Sequence, residues 1–337
     1  PSASLQGFPT TTTTTLTGAS MKANIRGFLL ATALGLGLSG AAHAQQFINV
    51  LTGGTSGIYY PLGVALSQIY GKAIPEAKSS VQSTKASVEN LNLLQAGRGE
   101  VAFTLGDSLS AAWKGDPEVG FKAPLDKLRG IAGIYPNYVQ IVASAESGIR
   151  TLADLKGKRV SVGAPRSGTE LNARAVFKAA GLTYQDFGKV EYLPFGESVE
   201  LIKNRQLDAT LQSAGLGVAS IRDLATAVRI VVIPVPADVI EKIGDAAYLP
   251  ATIPAGTYEG QASDVPTAAI NNYLVTHQGV SDDVAYKMTK ALFDNLDQMV
   301  SAHAAAKNIK LEDAAKGMPV PLHPGAEKFY REKGLLK

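Results

Sequence analysis

A repeating order of short apolar run, turn rich in glycine and hydroxyl residues, and amphipathic helix is the feature that most constrains this chain. Phe47 to Leu51 reads as a strand, a turn follows, and Leu62, Leu66, Ile69 and Ala73 then recur on one helical face. A second unit has Ser79 to Gln82 extended and a helix from Lys85 to Ala96 that Gly97 stops. Val101 to Leu105 is then a buried strand, Asp107 opens a short helix ending near Gly115, and Leu128 to Ile134 and Val139 to Ala143 are two further strands. From Thr151 the order restarts: a short helix through Leu152 and Leu155, a strand from Arg159 to Val162, a glycine turn and a helix from Thr169 to Ala180. Strands at Val190 to Leu193, Ala209 to Leu211 and Arg229 to Ile233 continue it, with a helix near Glu197 to Asn204. Pro250 to Pro266 has little periodicity and reads as a return linker; Ala268 to Val275 is a strand, and the remainder is helical.

This alternation predicts an α/β protein with parallel sheets. The restart at Thr151 and the late strand predict two domains, 45–138 plus 271–337 and 139–270, joined by a two-segment hinge. Ligands of open α/β sheets sit beyond the carboxyl ends of the strands, so a cleft between two such domains collects the strand-to-helix loops of both.

Residues 1–20 are Thr-rich, uncharged and aperiodic, and read as an upstream, non-native segment. Met21, Lys22 and Arg26, an apolar run from Gly27 to Leu38, and Ala42-His43-Ala44 follow the three-part grammar of a cleavable secretory signal over 21–44, which predicts a periplasmic protein. With Lys22 and Arg26 gone the net charge falls from +3 to +1, and no basic cluster is interleaved with aromatics, so nucleic acid is not an expected partner. An exported chain with no cysteine relies on packed cores, which 337 residues at 45% apolar content can supply.

The candidate site residues lie in the predicted strand-to-helix loops. Gly53-Gly54-Thr55-Ser56-Gly57-Ile58-Tyr59-Tyr60-Pro61 combines close backbone approach, hydroxyls and a helix N-terminus, the elements of anion capture, with Tyr59 as a wall and Tyr60 packing inward. Ser83 and Thr84 open the next helix, with Asn90 two turns on, although capping alone accounts for either hydroxyl. Asp107, after Gly106, either accepts from a ligand amine or caps its helix. In the second half Arg166, Ser167, Gly168 and Thr169 repeat the glycine, hydroxyl and helix order, and Arg166 offers a forked donor for a carboxylate. Ser213 and Gly215 follow a strand and line a far wall, or form a plain loop. His277, His303 and His323 lack metal-ligand spacing, and no Gly-x-Ser-x-Gly elbow is present, so no metal, cofactor or catalytic residue is expected.

These residues also carry a resemblance. GGTSGIYYPLG at 53–63, STKASVENLNLLQAG at 83–97, Tyr135-Pro136, TLADLKGKRVSVG at 151–163, SGTE at 167–170, Asp208-Ala209 and IPAGTYEGQASDVPT at 253–267 resemble the TAXI-type solute-binding subunits of tripartite ATP-independent periplasmic (TRAP) transporters. The resemblance implies a type II periplasmic-binding-protein fold and a monomer that closes around a small carboxylate, an amino acid such as glutamate or another organic acid. It further implies delivery to membrane permease subunits. The chain departs from that family at Arg166, where a glycine is usual, and at Leu105-Gly106, where a Gln-Ser pair is usual. The expected contacts are Thr55, Ser56, Tyr59 and Ser83 from one domain and Ser167 and Thr169 from the other. Two other readings are a subunit of an ATP-driven importer and an exported serine hydrolase using Ser56 or Ser167.

Overall fold

The computed structural model describes residues 46–337; the readings of 1–44 as upstream segment and signal lie outside them. The first half runs β1 (Gln46–Leu51), α1 (Tyr59–Ala73), β2 (Ala77–Gln82), α2 (Ser87–Gln95), β3 (Val101–Leu105), α3 (Gly106–Lys114) and β4 (Leu128–Ser144). Next come β5 (Arg159–Ser161), α4 (Gly168–Ala179), β6 (Lys189–Glu191), α5 (Phe195–Lys203), β7 (Ala209–Ala214), α6 (Ala219–Ala227), β8 (Ile230–Ile233), α7 (Ala237–Ile243) and β9 (Leu249–Ile253). β10 (Val265–His277), α8 (Asp282–Asp294), α9 (Leu296–Ala302) and α10 (Pro324–Glu332) complete the chain.

The strands share one sheet in the order β2-β1-β3-β10-β4-β7-β5-β6, with β8 on β4 and β9 on β10. At one end β1 pairs parallel with β2 and β3; at the other β5 pairs parallel with β6 and β7. Between them β4 and β10 run antiparallel to each other and to β3 and β7. The sheet is therefore mixed rather than wholly parallel, and its two parallel ends, each with its own helices, are joined through two long strands that serve both. This is the two-domain type II α/β architecture.

Three sequence expectations are corrected. The strands expected at 128–134 and 139–143 are one strand, because Pro136 interrupts neither chain direction nor sheet. Its missing N–H falls at a register shift, where Ile134 and Tyr135 of β4 stand opposite Asn272 alone of β10. The linker expected at 250–266 contains β9, which pairs with β10 from Ile253 against Val265 to Leu249 against Ala269. Its exposed Leu249 and Pro250 hid the strand pattern. The C-terminal part is also broken into three α-helices, with a short 3-10 helix (Ala304–Asn308) and irregular chain between α9 and α10, and is not continuously helical.

Helices cover both faces of the sheet. Leu62, Leu66 and Ile69 of α1 pack with Met288 and Leu292 of α8 and Phe329 and Tyr330 of α10. Leu91 and Leu94 of α2 join Leu109 of α3, and Val176 and Phe177 of α4 join Val239 and Ile240 of α7. Gly115 ends α3 at φ 69°, and a Cβ there would lie 2.3 Å from Pro124 N and 2.5 Å from Ala123 C. Gly148 has a similar φ of 76° but open space around it. Gly148→Ala is expected to cost about 1 kcal/mol in urea unfolding, from the left-handed conformation alone. Gly115→Ala should cost at least ~2 kcal/mol, because the added carbon also meets backbone; equal costs would show that the 115–124 segment yields freely.

Candidate functional site

The site is a cavity of about 100 Å³ between the two ends of the sheet. From the first half it is lined by Gly53, Gly54, Gly57, Ile58 and Tyr59, by Thr84 to Ser87, and by Leu105, Tyr135 and Asn137. From the second come Ala164, Ser167, Thr169, Pro194, Phe195, Ser213 and Ala214. Most of these residues follow the carboxyl ends of β1, β2, β3, β5, β6 and β7, where this fold class places its ligands.

Helix N-termini converge here, those of α1, α2 and α4 together with α5, whose first residue Phe195 is in the lining. α1 begins at Tyr59 and α2 at Ser87, and neither N-cap residue, Ile58 or Ala86, supplies a side-chain acceptor. α4 begins at Gly168, and a Cβ there would lie 2.7 Å from Ser87 Oγ, so the starts of α2 and α4 nearly touch across the cleft. Unlike α1 and α2, α4 is capped: Ser167 Oγ accepts from Glu170 N at 3.1 Å. Positive dipole ends and donor groups thus face a space whose wall is otherwise mainly apolar.

The loops are held by buried polar bonds. Asn90 Nδ2 donates to Thr52 O at 2.7 Å and to Phe103 O at 2.8 Å, while Thr84 Oγ1 lies 2.6 Å from Asn90 Oδ1 and 2.9 Å from Thr52 O. Ser83 Oγ donates to Gly53 O at 2.8 Å. Asn90 and Ser83 are thereby engaged in shaping the first loop and lie outside the cavity lining. Tyr59 presents its ring, stacked on Phe103 at 5.1 Å, and commits its hydroxyl to Asn272 Oδ1. Asn272 Nδ2 donates to Tyr135 O at 2.7 Å and Asn137 Oδ1 at 2.8 Å, and Asn137 Nδ2 to Ser213 O at 2.9 Å. This chain of amides spans β10, β4 and β7 under the cavity floor.

Of the residues expected from sequence, Gly54, Tyr59, Thr84, Tyr135, Ser167, Thr169 and Ser213 are brought together in the lining. Thr55 is exposed and Ser56 half-buried against Gly196, and neither joins the lining. Tyr60 is half-buried rather than packed inward. Gly168 abuts Leu105 and Ser87, and Gly215 abuts Ile58, Tyr135 and Ala305, with no face on the cavity. Arg166 is exposed at φ 63°; it contributes its carbonyl, which accepts from Glu89 N at 3.1 Å across the cleft. That left-handed backbone gives a physical reason for glycine to be usual there.

Asp107 also serves another purpose. Its Oδ2 accepts from Asn172 Nδ2 at 2.6 Å and from the Tyr248 hydroxyl at 2.8 Å, joining α3 to the second half behind the cavity wall. Ser108 N donates to its Oδ1 at 2.7 Å, so one carboxylate serves both its own helix start and the opposite half. Burial pushes the Asp107 carboxyl up to about 6, against the opposing hydrogen bonds of Tyr248 and Ser108. The sequence reading overlooked Tyr248, Asn172, Asn137 and the Pro194-Phe195 wall. Pro194 and Phe195 stand in a strand-to-helix loop, after β6, and the rule used for the other loops selects them.

A model of the NMT1-like family matches residues 50–334. The chain belongs to the NMT1-like family. Among solved structures it is similar to PhnD1 from Prochlorococcus marinus in complex with methylphosphonate, at 12% identity and TM-score 0.55, over 87% of this chain and 100% of that one. It is also similar to a protein from Bordetella bronchiseptica at 15% identity and TM-score 0.53, over 86% and 98%. A third is a binding protein component of an ABC phosphonate transporter from Pseudomonas aeruginosa, at 13% identity and TM-score 0.50, over 79% and 80%. At these identities the similarity establishes the fold, that of periplasmic binding proteins, for this NMT1-like chain.

The raised Asp107 pKa has a definite sign. The folded state holds the proton more tightly than the unfolded chain, so Asp107's stabilising contribution is complete below pH 4 and is lost as pH rises through about 6. Between pH 4 and 7 the wild type should lose roughly 2–3 kcal/mol of stability relative to Asp107→Asn. Paired urea titrations read this directly, and parallel pH profiles would remove Asp107 as the cause.

Proposed function

We propose that this chain is the extracytoplasmic solute-binding subunit of an importer, which closes around one small organic oxyanion and passes it unchanged to membrane permease subunits. The observation that carries the reading is a pair of hydroxyls in the cavity wall, Tyr135 OH and Ser213 Oγ, both buried and both without a partner among the described residues. A buried polar group left unpaired costs about 1–3 kcal/mol, so two of them beside uncapped helix starts mark a place built for an acceptor to occupy. A carboxylate meets that description, and so does the methylphosphonate held by PhnD1. The proposed contacts are Tyr135, Ser213, Ser167, Thr169, Thr84 and the backbone at 57–59. The proposed moving bodies are 45–138 with 271–337 and 139–270, turning about β4 and β10.

The ATP-driven importer has more support than the TRAP transporter suggested by the sequence motifs, because a structural relative over four fifths of its length is a component of an ABC phosphonate transporter. Delivery in the periplasm rests on the signal grammar of residues 21–44. Turnover has no support: Ser167 Oγ caps α4, and none of His277, His303 and His323 stands in the cavity wall.

A thermal-shift screen of the purified protein, freed of co-purified ligand, against carboxylates, phosphonates and sulfonates tests the reading. A solute at one hundred times its Kd adds about 2.7 kcal/mol to folded stability. One oxyanion class is expected to raise the melting temperature in a concentration-dependent way, and Ser213→Ala to weaken that solute roughly tenfold without lowering the ligand-free melting temperature. Equal affinity in the variant removes Ser213 from the contact set.

A further inference from the structure

Charge in the cavity wall is one-sided. Lys85 is its only formally charged residue, and neither Asp nor Glu is among the lining residues. The buried acids among the described residues, Glu170 and Asp107, stand outside that lining. Glu170 Oε1 accepts from Arg174 Nε at 2.6 Å and from the Tyr184 hydroxyl at 3.1 Å, and Asp107 is engaged by Asn172, Tyr248 and Ser108. Glu89 Oε2 accepts from Lys85 N at 2.6 Å, at the start of its own helix. A ligand ammonium would therefore meet positive helix ends and a lysine, with no carboxylate in the lining to pair with it, and would bear much of the desolvation cost of an unpaired cation.

Much of the rest of the wall is hydrocarbon: Ile58, Leu105, Pro194, Phe195 and Ala164, with the ring of Tyr59. A cavity of this size suits a small solute, not a peptide or nucleotide. The oxyanion meets the helix starts and the two unpartnered hydroxyls, and the body meets these apolar side chains.

Resting on the solute-binding reading above, we propose that the cavity selects a monoanionic organic acid with a short, mainly apolar body and no amino group, and rejects the zwitterion of the same skeleton. This narrows the sequence expectation of a carboxylate by setting aside amino acids such as glutamate. Leu105 occupies a position where the resembling family usually carries a polar side chain, in keeping with an apolar body.

Isothermal titration of ligand-stripped protein with matched pairs tests the proposal: 4-methyl-2-oxopentanoate against leucine, and propane-1-sulfonate against 3-aminopropane-1-sulfonate. At least one amine-free acid is expected to bind, a hundredfold or more tighter than its amino counterpart; the pair that responds names the head group. Tyr135→Phe should weaken that acid on the order of tenfold, and unchanged affinity would overturn the placement of its oxyanion at the two hydroxyls. An amino compound that binds as tightly as its partner overturns the selectivity and leaves the solute-binding reading standing. If neither pair binds, the proposed class is wrong, and the broader oxyanion screen then decides separately whether the solute-binding reading falls with it.

Discussion

The antiparallel pairing of β4 with β10, and the bulge at Asn272 within it, is the constraint on which the rest of this structure depends. Two parallel half-sheets share no strand except through this pair, so every side chain that meets another across the cleft is positioned by its register. At the bulge, Ile134 and Tyr135 face one residue, Asn272, and the gap in the ladder is bridged by the Asn272 amide donating to Tyr135 O. The extra residue re-aims the strand, which places the Tyr135 ring in the cavity wall rather than on the regular pleat. Pro136 is tolerated next to it because the ladder is already interrupted.

From that point a buried polar line runs outward: the Tyr59 hydroxyl to Asn272, Asn272 to Asn137, and Asn137 to the Ser213 carbonyl. Its members come from α1, β10, β4 and β7, so the first helix and the far strand share one hydrogen-bond system. Such a network is costly unless every member is satisfied. Here the amides of Asn272 and Asn137 are satisfied, and of the unpartnered buried polar atoms among the described residues, two, the Tyr135 and Ser213 hydroxyls, belong to residues of the cavity lining. Elsewhere the second half is closed conventionally: Arg159 holds Asp208 in a two-bond clamp of 3.0 and 2.6 Å between β5 and β7, and the guanidinium keeps that carboxyl below its usual range.

Much of the architecture was legible in the sequence, because helices with one apolar face and short apolar strands follow directly from burial. The faces set by Leu62, Leu66 and Ile69, and by Val284, Met288 and Ala291, pack as their spacing requires. What was not legible was pairing. Antiparallel and parallel strands have the same residue pattern when both faces are covered, and a proline at a bulge looks like a proline at a turn. At the site, hydroxyl residues in loops were recognisable as a class, but not their individual bonds. Ser83 and Asn90 face carbonyls of their own half, whereas Ser213, with an equally ordinary local sequence, has none within reach. Asp107 carries the same lesson, since its partners Asn172 and Tyr248 are 65 and 141 residues away in the chain.

These placements divide the labour between two kinds of buried polar group. Asp107 accepts from Asn172 and Tyr248 across the two halves without any ligand, and Glu89 N adds a bond to Arg166 O across the cleft. They favour the closed arrangement whether or not solute is present. Tyr135 and Ser213 do the opposite: while empty, they penalise the arrangement that buries them. In the proposed closure, a closed state held by the first set and taxed by the second is tipped by a solute that satisfies the second set, by the difference in its affinity for the two arrangements. On this view the unpartnered hydroxyls make closure conditional on a suitable acceptor, and the apolar wall with its one-sided charge decides which acceptors are suitable.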